Sequence, residues 1–296
     1  MAAELYVEFF GFSERPFTLL PDPDFLFWTG NHRRAYAVLE YGVASRAQAT
    51  VVTGSIGAGK TTLIQHLLAR LDDSVTVGLI SNAQGGRGDL LRWVLYALNV
   101  DAPMEAQYIT LFRIFQDFVI AEYAAGRHVL LVIDEAQNLS VEALEELRML
   151  TNINSGKDEV LQLIIVGQPE LREMISRPEL TQFAQRITAT FHLEPLDYRQ
   201  TRAYIQHRLQ HAGGTGNEFS VYAMKSIFAE SEGVPRVINK LCDLALVYAA
   251  SDERRLVGVD VIRELVADGL LIKSRKSHEV YVLENPIEPP LKKAVE

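Results

Sequence analysis

The chain has 296 residues, 48% of them hydrophobic and 23% charged, with a formal net charge of −9 and a pI of about 5.4. That is the make-up of a globular protein with a sizeable core and one or two domains, and the acidic balance argues against nonspecific coating of DNA. No apolar run reaches the ~18 residues of a membrane span, the start Met1-Ala2-Ala3-Glu4-Leu5-Tyr6 lacks the pattern of a signal peptide, and a single cysteine, Cys242, excludes an intramolecular disulfide or a Cys-rich zinc site.

Residues 1–30 are crowded with aromatics and prolines: Phe9-Phe10-Gly11-Phe12, Arg15-Pro16-Phe17, Pro21-Asp22-Pro23 and Phe25-Leu26-Phe27-Trp28. No simple period runs through them, and the expectation is an irregular arm packed on a core. A helix is expected over 31–47. The run Ala49-Thr50-Val51-Val52-Thr53 then reads as a strand, and Gly54-Ser55-Ile56-Gly57-Ala58-Gly59-Lys60-Thr61 satisfies G-x-x-x-x-G-K-[ST] at every fixed position. Thr62-Leu63-Ile64-Gln65-His66-Leu67-Leu68 continues as helix, completing the strand–loop–helix context of a P-loop.

The chemistry follows from those residue types. Glycines let backbone N–H groups turn inward and approach phosphate, and the helix N-terminus adds partial positive charge. Lys60 is placed to reach the β- and γ-phosphates of ATP, and Thr61 to hold Mg²⁺. A chance glycine-rich turn is the bland alternative, disfavoured by the spacing and its flanks.

A strand near 74–80 and helices near 88–99 and 106–125 lead to His128-Val129-Leu130-Leu131-Val132-Ile133-Asp134-Glu135. This apolar run ending in two carboxylates reads as a buried parallel strand, and ligands bind at the carboxyl ends of such strands. Asp134 would sit beside the P-loop and hold Mg²⁺, directly or through water. Glu135 is placed to act as general base toward the attacking water, which suggests hydrolysis rather than small-molecule phosphorylation.

A helix near 140–152 and strands near 160–166 and 188–193 complete an alternating α/β pattern, which means a parallel sheet with helices on both faces. From about 197 the strands stop, and helices are expected near 198–212, 219–231, 234–250 and 259–269. The expected division is an arm at 1–30, an α/β nucleotide-binding domain at 31–196, a small all-helical domain at 197–270 and a polar tail at 271–296. Cys242 falls in the apolar pattern of a lid helix and reads as a buried thiol. His32, His66, His128, His192, His207 and His211 show no paired metal-ligand spacing and are assigned no chemistry.

The P-loop, Asp134-Glu135 and the helical lid together resemble an AAA+ ATPase. Tyr6…Phe9-Phe10-Gly11-Phe12…Pro16-Phe17…Pro21-Asp22-Pro23…Phe27, Ile133-Asp134-Glu135-Ala136-Gln137, Val166-Gly167-Gln168-Pro169-Glu170-Leu171, Gln185-Arg186-Ile187 and Gly233-Val234-Pro235-Arg236 are similar to the ExeA (general secretion pathway A) type of bacterial ATPase, over about residues 5–270. Transposition helpers of the TniB/MuB kind are related ATPases. Larger secretion members carry a membrane span and a periplasmic peptidoglycan-binding region after the ATPase. The sequence here ends without either, and the expectation is a short ATPase of the kind associated with pilus or exopolysaccharide systems.

The resemblance implies further roles. Gln168 is placed like sensor 1, a polar group near the γ-phosphate, where many AAA+ proteins use Asn. Arg236 resembles sensor 2, contacting phosphate from the start of a lid helix; a surface arginine is the alternative. Arg186 resembles an arginine finger that completes a neighbour's site in trans, with Arg172 and Arg177 as competing candidates. Phe17 and Phe27 of the arm are candidates to cover the adenine, and core packing is the equal alternative.

The resulting reading is a cytoplasmic, Mg-dependent AAA+ ATPase. It would form a homo-oligomer and lie peripheral to the inner membrane through partners. ATP binding and hydrolysis would drive assembly of a secretion, pilus or exopolysaccharide machine. The rival is an ATP-switched DNA-binding adaptor of the transposition-helper type, and a third reading, a scaffold with negligible turnover, is opposed by the intact Asp134-Glu135 pair.

Overall fold

The protein's structure, a computed structural model, describes residues 2–19, 25–81, 89–155 and 158–269. The tail expected at 271–296 and Pro21-Asp22-Pro23 of the arm lie outside the described residues.

Five parallel strands form the central sheet: β1 (Ala49–Gly54), β2 (Val75–Ser81), β3 (His128–Asp134), β6 (Leu161–Gly167) and β7 (Ile187–Leu193), in the order β2-β3-β6-β1-β7. A small antiparallel pair, β4 (Asn154–Ser155) and β5 (Asp158–Glu159), stands apart. Strands β1, β3 and β6 are buried along their whole length, which is why β3 and β6 read as near-continuous Val/Ile/Leu runs and β1 as a short run of small and β-branched residues.

Alternate side chains on these strands supply two apolar layers. Val51, Leu131, Ile133, Leu163 and Ile165 pack with α4 (Asp89–Ala97), α5 (Tyr108–Ala124), α6 (Val141–Leu150) and α7 (Pro169–Ile175). Val52, Leu130, Val132, Ile164 and Val166 pack with α2 (Gly30–Ala44) and α3 (Lys60–Leu68). Helices therefore cover both faces. The register pairs Thr53 with Gly167 and Ile133 with Ile165, so Gly54, Asp134 and Gly167 finish at one edge of the sheet. Strand β6 lies between β1 and β3, and this reversal of order opens a crevice where their carboxyl ends meet.

Helices α9 (Tyr198–His211), α10 (Val221–Ser231), α11 (Pro235–Ser251) and α12 (Val259–Ala267) bury a separate apolar cluster. Their starts carry readable caps: a capping box between Asp197 and Gln200, the Ser220 hydroxyl, and Pro235 at the first turn of α11. Cys242 is fully buried in this cluster, and burial pushes its thiol up, as suits a packing residue. Gly233 joins lid to sheet: its φ is +73°, the Leu196 N–H donates to its carbonyl at 2.9 Å, and a Cβ there would meet the Leu196 carbonyl oxygen at 1.9 Å. Only glycine fits.

The arm is not wholly irregular. Residues Ala2–Phe10 form α1, which packs on α11. Tyr6, Val7 and Phe10 recur at helical spacing and face the lid cluster, but the dense aromatics and prolines that follow hide that period. Helix α7 and the short α8 (Thr181–Ala184) were not expected; α7 starts on Pro169, a first-turn signal. Among the described residues no helix is long and apolar enough to cross a membrane.

Candidate nucleotide site

Strand β1 delivers the chain to Gly54, and five residues later α3 begins at Lys60. Gly57 and Gly59 take positive φ, +80° and +98°, which folds the loop over the helix start. No side chain caps α3, so its first N–H groups face the crevice, as anion binding requires. Lys60 is buried, its Nζ donating to the carbonyls of Gly54 (2.7 Å) and Ser55 (3.0 Å). Burial pulls its ammonium below the usual lysine range, against the carboxylates of Glu135, Asp134 and Glu170.

From β3 come the two acids. The Thr61 hydroxyl donates to Asp134 Oδ2 at 3.0 Å, and Asp134 Oδ1 accepts the Glu135 N–H at 2.9 Å. Thr61 and Asp134 thus present two hard oxygens to one point at the edge of the P-loop, a donor set that fits Mg²⁺. Glu135 sits in the left-handed region, φ +56°, and turns its carboxylate into the same crevice as Lys60 and Thr61. Burial pushes that carboxyl up, but hydrogen bonds from Gln137 and Gln168, with the charges of Lys60 and Arg236, bring it below the usual range and keep it ionised.

Each residue singled out in the sequence can now be located. Gly54, Ser55, Ile56, Gly57, Ala58, Gly59, Lys60, Thr61 and Thr62 form the loop and first turn of α3. Gln168, the cap residue of α7, sends its Nε2 to Glu135 Oε2 at 3.1 Å. Arg236, in the first turn of α11, lines the crevice with Lys60 and Glu135. Phe27 also lines it, against Tyr204 and His207, whereas Phe17 is fully buried edge-on to Phe219 in the lid core. Phe17 therefore cannot cover a base; its aromatic ring was recruited to fill the lid.

Arg186 is elsewhere. It precedes β7, whose Ile187 pairs with Ala49 at the opposite end of β1 from the P-loop, ~17 Å along the strand. Its guanidinium donates to Gln48 Oε1 (2.9 Å) and Asn152 Oδ1 (2.6 Å). Arg172 and Arg177 are exposed on and after α7.

Three contributors were missed. His32 is buried, with Nδ1 2.7 Å from Thr29 Oγ1 and Nε2 3.3 Å from the Ala58 carbonyl oxygen. The carbonyl can only accept, so Nε2 carries the proton and Nδ1 receives the Thr29 hydroxyl. The signal was local: Thr29 caps α2 and His32 stands at its third position. Arg208 ties lid to arm through Nε to the Pro16 carbonyl (2.5 Å) and lies over the Phe25 ring. Gln137 bridges the ends of β3 and β6, donating to Glu135 Oε2 at 2.6 Å and accepting the Gln168 N–H at 3.0 Å.

Comparison with known proteins agrees with this fold. A family model described as AAA domain matches residues 43–175. General secretion pathway protein A of Aeromonas hydrophila is 37% identical over 258 residues, 87% of this chain and 47% of that protein. The Mu-like prophage FluMu DNA transposition protein B of Haemophilus influenzae is 31% identical over 144 residues, 48% of this chain and 45% of that protein. The chain thus spans about half the length of the curated relatives it matches. Among solved structures, Cdc6p from Pyrobaculum aerophilum has the same fold, with a TM-score of 0.65 at 14% identity, over 84% of this chain and 71% of that one.

Proposed function

We propose, from the AAA domain match, the P-loop fold and the similarity to general secretion pathway protein A, that the chain is a Mg-dependent AAA+ ATPase that drives assembly of a cell-envelope secretion, pilus or exopolysaccharide machine. One observation carries the hydrolase reading: Lys60, the Thr61–Asp134 pair and the Glu135 carboxylate converge in a single crevice at the carboxyl edge of the sheet.

The chain's own groups then divide the work. The loop N–H groups and Lys60 hold the β- and γ-phosphates, the ammonium exchanging its two loop carbonyls for phosphate oxygens. Thr61 and Asp134 would hold Mg²⁺, which supplies charge neutralisation on the phosphates when bound. Glu135 takes a proton from water as the water oxygen bonds to the γ-phosphorus; the bond to the bridging oxygen breaks and ADP leaves with its electron pair. Gln168 orients the base and the water from the end of β6. Arg236 reads the phosphate from the lid. The unit that performs this is 31–196 with 197–270 as its lid.

Arg186 lies too far from its own P-loop to act in cis, which supports a homo-oligomer in which it completes the neighbouring site. Similarity to a secretion-pathway protein supports an envelope partner and a location at the cytoplasmic side of the inner membrane. The deciding measurement is phosphate release with Mg²⁺ by wild type and by Lys60→Ala, followed by fractionation of the native cells in the presence of each. Phosphate release no faster than Lys60→Ala would overturn the ATPase assignment; indifference of envelope assembly to Lys60→Ala would overturn the client.

A second reading is favoured by the match to a DNA transposition protein: ATP would hold the chain on DNA and hydrolysis release it. Its mark is ATP-dependent DNA binding that weakens steeply with salt. The net charge of −9 opposes it.

A further inference from the structure

The general base has a dedicated holder. Glu135 is a non-glycine residue at φ +56°, a conformation that persists only where its surroundings over-determine it. The short turn that follows, Ala136–Asn138, brings the Gln137 carboxamide back over the strand ends. Gln137 Oε1 accepts the backbone N–H of Gln168 at 3.0 Å, and Gln137 Nε2 donates to Glu135 Oε2 at 2.6 Å. The partners fix the orientation of this amide, because a backbone N–H can only donate and a carboxylate can only accept.

A second observation concerns room. Gly167 ends β6, and a Cβ there would stand 3.0 Å from Gln137 Oε1 and 2.6 Å from the Leu171 side chain. Glycine at this position is what lets the carboxamide lie across the gap between β3 and β6. The Gln168 side chain, whose backbone the same amide holds, adds a donor to the same carboxylate oxygen at 3.1 Å.

We infer that Gln137 is a positioning residue for hydrolysis: it clamps Glu135 Oε2 and ties it to the Gln168 backbone, so that the other carboxylate oxygen is aimed at the attacking water. The inference rests on the ATPase reading above. One end of the amide sets the direction of the base; the other fixes the distance between β3 and β6 at their carboxyl ends. The role is orientation, so it acts on the chemical step and leaves nucleotide binding alone.

Gln137→Glu separates the two ends. The new carboxylate has the same shape and still accepts the Gln168 N–H, but it cannot donate to Glu135 and repels it. Gln137→Ala removes both contacts. Expected for both are wild-type binding of a fluescent-labelled ATP analogue, an unchanged KM, and a kcat lower by at least about tenfold, a fraction of what a general base supplies. In a Glu135→Gln background, where the group being aimed is already gone, the same substitutions should produce no further loss in single-turnover rate. A Gln137→Glu enzyme with wild-type kcat, a change confined to KM, or an equal loss in the Glu135→Gln background overturns the positioning role. Absence of hydrolysis above Lys60→Ala in wild type overturns the ATPase reading and this inference with it.

Discussion

The backbone N–H of Arg236 donates to the carbonyl oxygen of Gly57, 3.3 Å away, and the Arg236 Cβ stands 2.3 Å from where a Gly57 Cβ would be. The first turn of helix α11 therefore rests directly on the P-loop, and loop and helix touch without an intermediary. Arg236→Ala keeps the Cβ that touches Gly57 and removes only the guanidinium. The expected result is ATP binding with less lid tightening and lower turnover, since a ligand shifts the open–closed balance only by its differential contacts. Hydrogen exchange over 197–269, with and without a nonhydrolysable ATP analogue, reads this. Equal protection in wild type and Arg236→Ala would reduce Arg236 to a packing residue.

Lys60→Ala and Glu135→Gln should fail differently. Lys60 is held by two loop carbonyls and lines the crevice proposed to take the phosphates, so its removal should weaken binding, by about 1.5–3 kcal/mol for a charged hydrogen bond. Glu135→Gln keeps a side chain of the same shape, so ATP still binds and turnover falls about 10²–10⁴-fold, trapping the ATP state. Wild type alone is expected to be slow because Arg186 is not in its own site. Parallel titrations and phosphate-release assays separate the two phenotypes, and equal turnover by Glu135→Gln and wild type would remove Glu135 from its role.

Most of the sheet was legible because burial on both faces leaves a plain mark: β3 and β6 are runs rich in Val, Ile and Leu, β1 is a short β-branched run, and they end at Asp134, Gly167 and Gly54. The P-loop was legible because phosphate binding constrains spacing within one short segment. What could not be read were contacts between segments distant in sequence. His32 meets Ala58 and Gln137 meets Gln168 only once the strands are side by side, and neither pair leaves a local period or spacing. The choice for Phe17 between covering a base and packing in the core stayed open for the same reason: nothing within residues 1–30 says that Phe219 waits for it in the lid.

His32 predicts an acid-sensitive P-loop. Burial holds its imidazole below the usual histidine range, with the Ala58 carbonyl pulling the other way. Below the unfolded pKa of about 6.5 the unfolded chain binds a proton that the folded one resists. The stability due to neutral His32 is therefore full above that pH and is lost as pH falls toward the lower folded value. His32→Gln can still donate to Ala58 and does not titrate. Thermal melting of the nucleotide-free protein between pH 8 and 5 should fall less steeply in His32→Gln than in wild type; parallel curves would remove His32 from the acid response.

The arm is bound to the lid by a charged contact. The Tyr6 hydroxyl donates to Asp243 Oδ1 at 2.6 Å, and Arg15 Nη2 to Asp243 Oδ2 at 2.7 Å. Burial and the neighbouring carboxylate push the Tyr6 phenol well above its usual range. Tyr6→Phe leaves the ring in the core and removes the hydrogen bond to Asp243 and the longer one the hydroxyl accepts from Arg15 Nε at 3.4 Å, a loss of about 1.5–3 kcal/mol. Urea denaturation should show that loss with ATP binding little changed. A variant as stable as wild type would mean that the ring alone anchors α1.

Arg186 is predicted to work across a subunit boundary. It lies at the amino end of β7 while the P-loop of its own chain lies at the carboxyl end of β1, and both its hydrogen-bond acceptors, Gln48 and Asn152, are neutral side chains from which a phosphate can draw it away. Arg186→Ala should bind ATP normally and hydrolyse it poorly, with a loss of up to about 10³-fold if the guanidinium meets transition-state charge. Lys60→Ala should fail for the opposite reason, with an intact finger and a defective loop. Mixed together, two dead proteins can form an interface that pairs the intact P-loop of one with the intact arginine of the other, and part of the activity should return. The recovered activity should peak at an intermediate mixing ratio and vanish on dilution below the assembly concentration. Mixed assemblies that form, as judged by a tag on one variant, yet stay inactive at every ratio would return the trans role to Arg172 or Arg177, whose alanine variants undergo the same mixing.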